Sequence, residues 1–146
     1  MAGPQPLMLH ATSVAVDGRA AIIRGPSGSG KSALALQMIA LGAELIADDQ
    51  TCIHREGNDL IVDAPDTIRG RLEARGVGIL NAPAAGPARA VLVVDLPPYG
   101  STPNAPRLPP DETEDLLGVA LPLVRGVDAG HFPAALHLYL KYGRSD

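Results

Sequence analysis

Residues 20–50 read AAIIRGPSGSGKSALALQMIALGAELIADDQ, and this stretch decides the fold. A short apolar run, 20–23, leads into Gly25-Pro26-Ser27-Gly28-Ser29-Gly30-Lys31-Ser32, which matches G-x-x-x-x-G-K-[ST]. The match lies in the context that gives it meaning, with a strand-like run before it and a helix-like segment, 32–40, after it. Glycines let successive backbone N–H groups converge on phosphate oxygens, and a helix starting there adds its partial positive charge. Lys31 is then placed to reach the terminal phosphates, and the Ser32 hydroxyl to ligate Mg²⁺. The stretch predicts a nucleoside triphosphate site.

The helix over 32–40, continued by Leu41, carries Leu34, Leu36, Met38 and Ile39. It is apolar on most sides, which predicts burial, and Gly42 is its stop. AELIADD, 43–49, predicts a short strand with Asp48 and Asp49 at its carboxyl end. Upstream, 7–16 reads as a strand, and Asp17-Gly18 turns it back into 20–23 as a hairpin. Downstream, 51–65 predicts a second hairpin turning at 56–59. The stretch 66–83, DTIRGRLEARGVGILNAP, has no clean period; its glycines and arginines suggest a functional loop. Residues 88–98 predict a buried strand ending in Asp95, a candidate for the second, water-mediated Mg²⁺ carboxylate of such sites. A long Pro- and Gly-rich loop spans 97–110. One or two helical turns are expected over 111–117, and periodicity does not decide between strand and helix for 131–143. The alternation of strand and helix signals gives the fold class α/β, with a mostly central sheet and a strand hairpin before the P-loop.

Composition narrows the function. The 146 residues are expected to form a single domain, 1–146, with 1–6 as a flexible tail. A hydrophobic share of 46% against 19% charged fits a soluble globular chain. The net charge of −4 and only four aromatics argue against a nucleic-acid partner, because phosphate neutralisation needs a basic surface and bases need stacking platforms. No apolar run reaches the ~18–20 residues of a membrane span, and the N-terminus lacks the pattern of a secretory signal. The expected location is the cytoplasm. Cys52 is the lone cysteine, which excludes an internal disulfide or a cysteine zinc site. Of the 12 basic residues two are lysines, and one of those is Lys31, where a compact ammonium suits the loop.

A triphosphate site does not name a reaction. Hydrolysis needs a positioned water, whereas a kinase needs a carboxylate set against an acceptor hydroxyl. Asp48 and Asp49, following ELIA so soon after Lys31, are candidates for that carboxylate. Four pieces in order then carry a resemblance: LH at His10, GPSGSGKS, GAELIADD, and RLEARGVGILNA, which is close to L-E-[I/V]-R-G-[L/I]-G-I-[I/L]-N. Over nearly its whole length the chain resembles the catalytic domain of the HPr kinase/phosphorylase family, which modifies a serine of the phosphocarrier protein HPr.

The resemblance implies a P-loop-containing kinase fold with a central mixed sheet, and ATP and Mg²⁺, with HPr or a paralogue as the acceptor. It makes His10 a catalytic assistant, Lys31 the P-loop lysine, and Ser32 and Glu73 magnesium ligands. Asp49 becomes the base that takes the serine proton and returns it in reverse, with Asp48 assisting metal or base. Arg75 is the signature arginine, and APRLP makes Arg107 a further catalytic arginine. A homo-oligomer, hexameric in the family, is implied as well. Relatives carry a separate amino-terminal domain, so the chain reads as a short form. Their P-V-R-P-G-R-N loop is replaced by RGVDAGHFPAAL, which makes the kinase direction the main expectation and leaves phosphorolysis open. Two other readings accommodate the P-loop: a small-molecule kinase, and a nucleotide-sensing module without turnover.

Overall fold

The computed structural model describes residues 5–98 and 111–145. In chain order the strands are β1 (Leu7–Leu9), β2 (Thr12–Val16), β3 (Arg19–Arg24), β4 (Glu44–Ala47), β5 (Thr51–Glu56) and β6 (Asp59–Asp63). They continue with β7 (Arg71–Ala74), β8 (Gly78–Asn81), β9 (Ala88–Asp95), β10 (Glu112–Leu116) and β11 (Val119–Arg125). Helix α1 spans Lys31–Ala40, α2 spans Phe132–Tyr142, and a 3₁₀ turn covers Asp66–Ile68. The chain has the expected mixed α/β architecture. A nine-stranded sheet runs β1-β5-β6-β9-β3-β2-β4, with β11 also pairing β9 and β10 pairing β11, while β7 and β8 form a separate ribbon.

Strands β3 and β9 form the centre, pair in parallel, and are buried on both faces, which is why both read as continuous apolar runs. Ala20 and Ile22 of β3 face one core cluster and Ala21 and Ile23 the other. The first cluster is closed by Ile53, Leu60 and Val62 of the β5–β6 hairpin and by Leu121 and Leu123 of β11. The second is covered by Leu34, Ala35 and Met38 of α1 and Phe132, Leu136 and Leu140 of α2. On its far side β9 meets β6 antiparallel at Ala88 and Arg89, then β11 in parallel from Val93 to Asp95. The carboxyl ends of β3, β9 and β11 therefore lie together, where open α/β sheets bind ligands.

Helix α1 ends as its glycine suggests. Gly42 (φ 113°) donates to Ile39 O, and Ala43 donates to Met38 O at 3.1 Å, the paired bonds of a Schellman stop. At its own C-terminus α2 is capped from β3, because Arg19 donates to the carbonyls of Leu140 (3.2 Å) and Lys141 (2.7 Å). Pro133 in its first turn has the pre-set φ that such a position takes. This settles the tail as a helix.

Four expectations need correcting. The run 7–16 is two strands, because β1 pairs β5 while β2 pairs β3 and β4, and the chain must bend at His10-Ala11 to serve both. Helix α1 is buried on one face only; Leu41, just past its end, is 49% exposed because no element packs beyond it. The stretch 66–83 is not an open loop. It holds the 3₁₀ turn and a β7–β8 hairpin that alternates, with Leu72 and Ala74 buried and Arg71 and Glu73 exposed. Residues 112–116 form a strand rather than helical turns. Leu117 (φ 53°) and Gly118 (φ 83°) make a two-residue turn with both φ positive, the conformation of a type I′ hairpin. Leu-Gly is a weak written signal for that turn, and the acidic residues that suggested a helix start are engaged by distant arginines instead.

Candidate active site

The P-loop leaves β3 at Arg24 and enters α1 at Lys31. Gly30 (φ 100°) stands at the helix start with no side-chain cap, and the first turn holds no acidic residue, so the positive end of α1 is open to an anion. At Gly25 only glycine fits: a Cβ there would lie 2.5 Å from Ser29 Oγ and 2.9 Å from the Leu96 carbonyl oxygen. Lys31 is buried, and its ammonium donates to the carbonyls of Gly25 (2.9 Å) and Pro26 (3.3 Å). Ser29 Oγ is buried with no hydrogen-bond partner, the sole such side-chain atom among the described residues. An orphaned hydroxyl beside a helix N-terminus and a buried lysine fits a phosphate.

Beside the loop, β2 and β4 pair antiparallel with Ser13 opposite Ala47. That register brings the residues before β2 against those after β4, and so joins His10 and Thr12 to Asp48 and Asp49. Asp48 Oδ1 accepts from Ser32 Oγ (2.6 Å) and Thr12 Oγ1 (3.1 Å), and Oδ2 accepts from the Glu73 backbone N–H (3.0 Å). One carboxylate thus ties the P-loop, β2 and β7 together. Thr12 Oγ1 also accepts the Asp49 N–H at 3.1 Å. Below it, Thr51 Oγ1 donates to the Ala11 carbonyl (2.8 Å), so the buried Ser13–Thr51 contact (2.9 Å) has Ser13 as donor.

Asp49 takes a left-handed backbone, φ 70°, which aspartate tolerates better than most residues. Its Oδ1 is 2.5 Å from His10 Nε2. An ionised carboxylate only accepts, so His10 donates through Nε2 and leaves Asp49 Oδ2 without a hydrogen bond among the described residues. Both side chains are more than half exposed, so the pair orients the carboxylate rather than stabilising the fold.

Two clefts flank this line of residues. The larger, about 570 Å³, lies between Ser29, Gly30 and Leu34 on one side and the loop Gly126–Gly130 with Phe132 on the other; among the described residues Asp128 is its one charged lining residue. The smaller, about 290 Å³, is lined by Asp48, Asp49, Thr67, Arg71, Glu73 and Ile79, among others. The Ser32–Asp48 bond stands between the P-loop and this second cleft.

A magnesium ion accompanying a triphosphate fits the donors here, since the Ser32 hydroxyl and the Asp48 and Glu73 carboxylates are all hard oxygen ligands. Among the described residues no three His, Cys, Asp or Glu side chains form a metal cage. A few protein oxygens completed by phosphates and water are the usual surroundings of Mg²⁺.

His10, Lys31, Ser32, Asp48, Asp49 and Glu73 are therefore gathered around one loop. Arg75 is not in the smaller cleft; it occupies the exposed β7–β8 turn. Arg107 lies outside the described residues. Two contributors were not legible in the sequence. Thr12 bonds both aspartates, and its only signal was a hydroxyl two positions after His10 at the start of a strand. Arg71 lines the cleft because it alternates with Glu73 on β7, which a reading of 66–83 as loop conceals.

Asp95, at the end of β9, is taken up by an arginine. Both its oxygens take the Arg24 guanidinium, at 2.8 and 3.1 Å, and Glu114 adds a third bond at 2.8 Å. The Asp95 hydrogen bond is the main cause that holds the Arg24 pKa above its ordinary value. The pair locks the end of β3 to the end of β9, just before the P-loop. Asp95→Asn is accordingly expected to lower stability by about 1–2 kcal/mol, because Glu114 still holds Arg24. That corresponds to a Tm loss of roughly 3–6 °C, with nucleotide binding retained. Calorimetry beside nucleotide titration checks it; lost binding at an unchanged Tm would return Asp95 to the metal.

Comparison with known proteins agrees with the fold. The family model described as HPr Serine kinase C-terminal domain matches residues 4–125. A curated HPr kinase/phosphorylase of Chlorobium phaeobacteroides is 35% identical over 126 residues, covering 80% of this chain and 39% of that protein. One from Bacillus cereus (strain B4264) is 35% identical over 132 residues, covering 81% and 43%. The chain thus spans about two-fifths of the length of these relatives. A solved structure of the Hpr(Ser) kinase/phosphatase from Coxiella burnetii superposes with a TM-score of 0.79 at 25% identity, over 92% of this chain and 94% of that one.

Proposed function

This chain belongs to the HPr serine kinase C-terminal domain family, and on that premise we propose that it transfers the γ-phosphoryl group of ATP to a serine of an HPr-type phosphocarrier protein. The observation that carries the reading is the His10–Asp49 pair. It leaves one carboxylate oxygen unbonded in a cleft one hydrogen-bonded step from the P-loop serine.

In this reading the larger cleft receives the nucleoside, since its lining is apolar and backbone-rich with a single acid. Lys31 exchanges the Gly25 and Pro26 carbonyls for phosphate oxygens. Ser32, with Asp48 or Glu73, holds the magnesium ion, which supplies charge neutralisation at the phosphates when bound. The acceptor hydroxyl enters the smaller cleft and passes its proton to Asp49 Oδ2 as the O–P bond forms. His10 keeps Oδ1 occupied, so the free oxygen is the one that meets the hydroxyl. We read residues 1–146 as one catalytic unit, active in the cytoplasm as a homo-oligomer. No helix among the described residues is long and apolar enough to cross a membrane.

The test mixes the protein, Mg²⁺, γ-labelled ATP and the HPr proteins of the same host. Label on an HPr serine supports the reading; saturable ATP binding without label on any serine sinks it in favour of a nucleotide-dependent switch. Excess inorganic phosphate added to the labelled product then assays the reverse reaction. The loop at Gly126–Gly130 contributes Asp128 and no cation to the larger cleft, so pyrophosphate formation is expected to be slow relative to transfer.

A further inference from the structure

We infer that Arg71 is the cation that meets the phosphoryl group on the acceptor side of the site, a role that rests on the kinase reading above. Among the described residues, three other arginines are committed to carboxylates. Arg24 is held by Asp95 and Glu114, Arg69 by Asp63 and Asp66, and Arg125 by Glu112. Arg75 stands in the hairpin turn, outside the cleft. Among the described residues Arg71 is the one cationic side chain lining the cleft that holds Asp48, Asp49 and Glu73, and it makes no ion pair or hydrogen bond with any of them.

Its position follows from the strand. In β7, Leu72 and Ala74 turn into the core, so Arg71 and Glu73 share the exposed face, about 6–7 Å apart along the chain. The 3₁₀ turn that forms the opposite wall at Thr67 and Ile68 is anchored independently, by Arg69 on Asp63 and on the Ala64 and Ala85 carbonyls. Arg71 therefore carries no structural bond that would hold it back from a ligand.

The electrostatics call for such a group. On the P-loop side, Lys31 and the helix N-terminus face the phosphates. On the acceptor side a phosphoryl group would meet the Asp48, Asp49 and Glu73 carboxylates; the magnesium ion would offset the charge of whichever holds it, and without a protein cation the remaining negative charge would repel the dianion as it forms on the acceptor. In the step itself the bond from the γ-phosphorus to the β–γ bridging oxygen breaks, and that oxygen keeps the electron pair and leaves as part of ADP. The serine O–P bond forms, and the serine proton passes to Asp49. Arg71 stays protonated throughout and donates its planar pair of N–H groups to non-bridging oxygens, the geometry in which guanidinium exceeds ammonium.

The experiment compares wild type, Arg71→Ala and Arg71→Lys in the labelled transfer to HPr, together with Tm, ATP binding, and binding of the unphosphorylated and serine-phosphorylated acceptor. Arg71→Ala is expected to lower kcat by about 10²-fold, leaving Tm unchanged and ATP Kd within about twofold of wild type. Arg71→Lys should recover part of the loss. Wild type should bind the phosphorylated acceptor more tightly than Arg71→Ala does, while both bind the unphosphorylated form equally. If Arg71→Ala keeps wild-type kcat, or changes only the acceptor KM, the inference falls and the kinase reading stands. If wild type transfers no label, the kinase reading fails and this role goes with it.

Discussion

Asp49→Asn is expected to reduce phosphoryl transfer by about 10²–10⁴-fold, the range associated with removing a positioned general base, while ATP binding and Tm stay near wild type. The substitution is close to isosteric. Asparagine tolerates the left-handed backbone that Asp49 adopts at φ 70°, so the turn is kept. The amide oxygen can still accept from His10 Nε2, and the Thr12 hydroxyl still takes the backbone N–H of residue 49. What disappears is the oxygen that receives the serine proton in the proposed reaction. Single-turnover transfer beside ATP titration separates these effects. A loss confined to ATP affinity would show that the carboxylate serves the nucleotide instead.

Asp48→Asn is expected to behave differently although it changes the adjacent residue. Asp48 accepts from three donors, Ser32 Oγ, Thr12 Oγ1 and the Glu73 N–H, using both oxygens. An amide cannot reproduce this. In one orientation its NH₂ meets the Glu73 N–H, donor against donor; in the other it displaces the acceptor shared by the two hydroxyls. The half-buried site then loses at least one charge-assisted bond, costing about 1–3 kcal/mol, or roughly 3–10 °C in Tm. Because the same carboxylate orients Ser32, Mg²⁺-dependent transfer should also fall by about 10–100-fold. The signature is therefore joint: Tm and transfer decline together for Asp48→Asn, transfer alone for Asp49→Asn. Equal Tm values for the two variants would refute this division of labour.

How much of this was legible beforehand depended on distance along the chain. The hairpin turn at Asp17-Gly18, the apolar centre of β9 and the Gly42 stop of α1 are local signals, and each appears in the structure as read. The strand β10 was misread because its acidic residues answer to Arg24 and Arg125, not to a helix N-terminus. The β7–β8 hairpin was misread because strands of four residues hold too few alternations to stand out from a glycine-rich run.

By itself the sequence determined the phosphate-binding loop, the strand before it, the helix after it and the aspartate pair that follows. Those features depend on residues a few positions apart, whose spacing along a strand, turn or helix is set by local geometry. Tertiary structure alone decided which partners each aspartate bonds. It alone decided that Arg71 rather than Arg75 lines the smaller cleft, and that Asp95 holds Arg24. Each of these outcomes turns on partners brought together by sheet register: His10 to Asp49, Thr12 to Asp48, Arg24 to Asp95 and Glu114. An electrostatic or hydrogen-bonding role belongs to a pair of groups in space, and a linear pattern supplies only one member of the pair.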